Sequence, residues 1–177
     1  MAYVIPAIII WGVLGIVLWP MGNIPLLVSL VAWIYTLMFG LLEILGVPFR
    51  VPGLRWQVPS NWIKGRPPQV QTIVWGVTLG PGLVTVNPYA GMWLLPFLVA
   101  LNRSLFASVT IAIAIGMAHG SARALGILSN TRHMDIGCGH LLIMAAQLRW
   151  QYIDGLALLM AVGGLTAYIV SLLGVHL

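Results

Sequence analysis

Three groups of polar residues in this chain have the types and spacing to do chemistry. The first lies in WGVTLGPGLVTVNPYAGMWLLP, Trp75 to Pro96, where Thr78, Thr85 and Asn87 bring hydroxyl and amide groups into apolar sequence. Pro81, Pro88 and Pro96 interrupt that stretch. A proline inside a helix removes one N–H and frees the carbonyl four residues earlier, here that of Val77. Broken membrane helices with freed backbone groups are where transport proteins build ligand sites. Thr78, Thr85 and Asn87, with the cationic Arg123, therefore form the candidate substrate or ligand site. In the packing alternative, Thr85 and Asn87 only re-satisfy a kinked helix.

The second group is GMAHGSAR, Gly116 to Arg123. His119 and Arg123 are four residues apart and share a helix face. Arg123 suits an anion or a lipid phosphate, or it snorkels to headgroups as an anchor. His119 is the candidate cofactor ligand, as the axial donor to a haem or a chlorophyll. A bis-histidine haem would also need His140, which reads as a surface residue. A chlorophyll needs one axial donor. The plainer role for His119 is a hydrogen-bonded packing histidine.

The third group is acidic. Glu43 falls near the end of an apolar run, where a boundary ion pair with Arg50, Arg55 or Arg123 is the expected role and a proton relay the alternative. Asp135 and His133 flank Gly137-Cys138-Gly139-His140, and Cys138 with His140 is one ligand short of a metal site even with Asp135. No metal site is expected. Cys138 is the sole cysteine, so no intrachain disulfide or Cys–Cys redox motif exists. No serine–histidine–acid set, phosphate loop or paired carboxylates appear, so catalysis is not expected.

The elements that position these residues are membrane helices. Hydrophobic residues make up 60% of the chain and charged ones 6%, with mean hydropathy +1.02, far outside the range of a soluble domain. Long apolar runs satisfy their backbone in lipid only as helices. The expected fold is all-α: a single polytopic membrane domain of about five transmembrane helices, over about 3–19, 24–46, 69–101, 105–128 and 153–175. The third is broken by Pro and Gly near 87–88, because 33 residues exceed one untilted crossing. His140, Gln147, Gln151 and Asp154 form one polar stripe, which predicts an amphipathic interfacial helix over about 137–151.

The joint 47–69 holds Arg50, Arg55, Lys64 and Arg66 among five prolines. By the positive-inside rule it is cytoplasmic and meets anionic lipid. This puts the N-terminus inside, the C-terminus outside, and the protein in a bacterial plasma membrane. The first helix lacks a signal-peptide pattern and reads as retained. The net charge of +5 serves topology and not nucleic acid. Gly76 with Gly80, and Gly116 with Gly120, make small-residue faces for close helix packing.

The stretch from Thr72 to Leu128 resembles half of the DsbD/CcdA family of membrane thiol-electron transporters. The likeness rests on WGVTLGPG, the proline break in VTVNPYAG, and the helix closing on GMAHGSARALG. In that family a cysteine beside such a break pairs with a cysteine on another helix and relays reducing equivalents. Here the break offers Thr85, Val86 and Asn87, and Cys138 lies elsewhere. The resemblance therefore implies a relative that keeps a structural or binding role without the redox step.

Two function classes follow. One is a non-catalytic integral subunit or assembly factor, held among other membrane subunits by its glycine faces and possessing lipid or cofactor contacts. The other is a small transporter with its site at the broken third helix.

Overall fold

The computed structural model describes residues 4–47, 49, 59–79, 89–130 and 139–174, with side-chain surroundings at all of these except 72, 76, 79, 123, 126–130 and 139–148. All regular structure among the described residues is helical: α1 Val4–Leu18, α2 Pro25–Ile44, α3 Pro68–Leu79, α4 Leu94–Ala100, α5 Leu105–Asn130 and α6 Gly139–Leu172. Single 3-10 turns lie at Trp19–Asn23, Ser60–Trp62 and Ala90–Trp93.

Local chemistry accounts for the boundaries. Pro25 and Pro68 open α2 and α3, at positions where a missing N–H costs nothing. Helix α2 stops in a Schellman turn: the Gly46 N–H donates to the Glu43 carbonyl at 3.2 Å and that of Val47 to Leu42 at 3.0 Å. Gly46 holds φ +63°, which only glycine adopts without strain. Glu43 is thereby fixed on the last turn of α2.

Two antiparallel helix pairs make the body. In α1/α5, a Cβ on Gly15 would lie 2.9 Å from the Val109 Cα, and one on Gly116 would lie 2.6 Å from the Ala7 carbonyl oxygen. In α2/α6, the Trp33 Nε1 donates to Thr166 Oγ1 at 2.9 Å, and a Cβ on Gly155 would meet the Glu43 Cβ at 3.0 Å. Glycine on both seams lets backbones approach and gain dispersion contact where lipid supplies no hydrophobic drive.

The short α4 fills the space between the pairs. Val99 and Met92 pack with Trp11 of α1 and Ala112 of α5, whereas Ala90 and Leu94 pack with Phe39 of α2 and Leu158 of α6. Ser108 Oγ ties the centre together, 2.9 Å from the Gly15 carbonyl and 3.2 Å from that of Val99.

Four helices are long and apolar enough to cross a membrane: Val4–Asn23 (α1 with its turn), Pro25–Ile44, Leu105–Ala122 within α5 and Arg149–Leu172 within α6. Their outer faces carry Ile5, Ile9, Val13, Leu27, Ile34 and Met160, each about half exposed or more, as suits lipid. The molecule is an all-α, multi-pass integral membrane protein. Of the region expected at 69–101, the described residues form the 12-residue α3 and the run Ala90–Ala100, and the break expected near 87–88 lies outside them. The expected interfacial helix and last crossing are one continuous helix of 34 residues, since no proline interrupts 139–172.

Candidate functional site

Glu43 and Asp154 meet at the start of the half-helix Ala90–Ala100. Small residues bring them together. Gly40 sits under Leu158 and Leu159, and Gly155 lies against Glu43 and Ile44, so α2 and α6 touch just where each carries its acid. Residues 90–93 then thread a 3-10 turn between the two carboxyls.

The backbone amides of two successive residues divide between the two acids. Ala90 N–H donates to Glu43 Oε1 at 2.9 Å, and Gly91 N–H donates to Asp154 Oδ2 at 2.8 Å. The Tyr35 hydroxyl donates to the Ala90 carbonyl at 2.8 Å, so residue 90 is held on both sides of its plane. A Cβ on Gly91 would collide with Asp154 Oδ1, so a larger residue there must displace the carboxylate. Glu43 is 1% exposed and Asp154 half-buried. Phe39 packs at a tilt on Tyr35, ring centres 4.5 Å apart, and Phe49 on Phe39 at 5.2 Å.

Glu43 points inward to the Ala90 amide and lies beside Asp154. Its expected ion-pair partners, Arg50, Arg55 and the side chain of Arg123, lie outside the described residues. Paired carboxylates, not visible as a motif, are assembled by α2 and α6. Asp154, by periodicity one end of an amphipathic stripe, faces the protein. The signal that could have found the pair is arithmetic: two of only three acids in the chain fall within apolar helices.

The other sequence candidates are placed as follows. Thr78 is buried in α3, and its hydroxyl donates within its own helix to the Val74 carbonyl at 2.8 Å. Thr85, Asn87 and Gly80 lie outside the described residues, as do the surroundings of Gly76, Arg123 and His140. His119 is half-buried on α5. Gly116 and Gly120 are buried, and Gly116 packs within the chain on Ala7 and Trp11. Among the described residues no three His, Cys, Asp or Glu side chains gather as a metal site.

A second feature is an apolar groove of about 400 Å³ between α4 and α6, lined by Leu94, Leu98, Leu101, Ala161 and Leu165 together with Asn102 and Tyr168. Comparison of the chain with protein-family models, with curated proteins and with solved structures finds no match in any of the three. The likeness to the thiol-electron transporters is neither supported nor excluded by them.

Proposed function

We propose that this protein is a small membrane transporter whose working site is the broken segment between α2 and α5, held by Glu43 and Asp154. The convergence of two acids from two apolar helices on the successive amides of Ala90 and Gly91 carries this reading. A neutral serine or asparagine would satisfy a helix start at far less cost than a buried carboxylate. Acids retained inside membrane segments mark ion or substrate paths. A half-helix whose first amides face charged groups is a recurrent form of such sites.

The path of the chain supports a fifth pass. Helix α1 ends beside the start of α5, where Trp19 Nε1 donates to the Arg103 carbonyl at 3.0 Å. Helix α2 leaves that side and ends at Ile44, just past Glu43, so the connection to α5 returns across the layer, and the half-helix makes its last part. Five passes place α1's start and α6's end on opposite sides. The cytoplasmic setting of the joint 47–69 and its contact with anionic lipid are parts of this proposal and rest on its four basic residues.

Swelling of proteoliposomes in isosmotic amino acids, sugars, organic acids and salts tests the reading. One solute class should enter faster than into empty liposomes, and Glu43→Gln, Asp154→Asn, Thr85→Val and Asn87→Ala should each slow its entry at least tenfold. Entry of every solute at the empty-liposome rate would overturn it. The groove between α4 and α6 favours a second reading, an integral subunit of a larger membrane complex. Extraction in mild detergent separates the two: a stable large assembly containing other chains supports the subunit, a particle of this chain alone the transporter.

A further inference from the structure

Each carboxyl of the pair gives one oxygen to a backbone amide, Glu43 Oε1 to that of Ala90 and Asp154 Oδ2 to that of Gly91. Glu43 Oε2 is fully buried and receives no hydrogen bond, although the Asp154 carboxyl lies within hydrogen-bonding reach. Carboxylates have only acceptors, so two ionised groups cannot satisfy one another. A buried acceptor without a donor is costly, and two like charges placed together out of water are costlier still. Something positive or hydrogen-donating must belong between them.

Its identity follows from the number of ligands. Sodium, potassium or a divalent cation takes about six oxygens. Here Oε1, Oδ2 and the Ala90 carbonyl each already accept one hydrogen bond, which makes them poorer cation ligands than free oxygens. The described residues around the gap offer two carboxyl oxygens, and no third acid or histidine joins them. A proton needs only two. We infer that Glu43 and Asp154 bind one proton between them as a carboxyl–carboxylate hydrogen bond, and that this proton is the coupling ion of the transporter.

The titratable groups facing the pair are Tyr35 from α2 and Tyr89 from the segment entering the 3-10 turn. No described lysine, arginine or histidine stands against Glu43 to neutralise it instead. With the proton bound, α2 and α6 are bridged and the start of the half-helix is clamped from both sides. When it leaves to water, two carboxylates remain side by side, and their repulsion loosens the clamp on Ala90 and Gly91. The coupling role rests on the transporter reading; the proton site does not.

Infrared spectroscopy of the whole protein in proteoliposomes tests the site directly, because the C=O stretch of a protonated carboxyl is separate from carboxylate and amide bands. The chain has three acidic side chains, Glu43, Asp135 and Asp154, which makes assignment complete with three variants. The wild type should show one protonated-carboxyl band that disappears as pH rises. Glu43→Gln and Asp154→Asn should each abolish it, since either amide supplies the missing donor, while Asp135→Asn keeps it. Persistence of the band in a folded Glu43→Gln or Asp154→Asn variant would assign the proton to one residue and overturn the shared site. The wild-type spectrum decides even if a variant fails to fold, because absence of the band throughout the folded pH range also overturns it. A band behaving as expected beside failed solute entry would retain the proton site and remove the transporter.

Discussion

Gly91 and Ser108 show how single atoms hold the centre of this membrane protein. The hydrogen at Gly91 leaves room for Asp154 Oδ1, and the residue's N–H reaches Oδ2. Gly91→Ala should push the carboxylate away and leave a partly buried amide unmet, at about 1–3 kcal/mol. Chemical denaturation in detergent micelles measures it, and an unchanged midpoint would show that the turn moves freely. Ser108→Ala removes the donor shared by the Gly15 and Val99 carbonyls. Interhelical bonds in membranes average about 0.6 kcal/mol. This loss should be the smaller of the two, and the same denaturation series compares them.

At the scale of elements, glycines separate into those with a neighbour and those without. A Cβ at Gly116 would stand 2.6 Å from the Ala7 carbonyl and 3.0 Å from the Trp11 Cβ, whereas Gly163 and Gly164 on α6 have nothing within 4 Å. Gly116→Ala should therefore destabilise the α1/α5 pair by about 1–3 kcal/mol through overpacking. Gly163→Ala and Gly164→Ala should be neutral or stabilise α6 by up to about 1 kcal/mol, as alanine is the better helix former. Equal effects at 116 and 164 in thermal unfolding would contradict the seam. This also alters the meaning of the GxxxG face at 116–120: bulk at Gly116 strikes the protein's own first helix before any partner.

For the whole molecule, the path of the chain makes a topological prediction. In a Cys138→Ser background, Asn23→Cys and Arg103→Cys should react with a membrane-impermeant thiol reagent from one side of the membrane, and Leu45→Cys from the other. All three positions are exposed. Labelling of all three from a single side would remove the fifth pass.

Much of the architecture is legible in the amino-acid sequence. Apolar run length determined the helices, because in lipid a run of about 20 such residues has no other way to satisfy its backbone. The proline-rich stretch after Leu79 likewise announced that no single helix continues to Ala100. The continuity of α6 was less legible, since a polar stripe at 140–154 has the same periodicity whether the helix stops or continues. Only the tertiary structure decided the site. Glu43 and Asp154 are 111 residues apart and belong to no motif. What joins them is the approach of α2 and α6 over Gly40 and Gly155 and the passage of Ala90–Gly91 between. Helical periodicity specifies which residues share a face on one helix, but which face meets which is set by packing among distant segments.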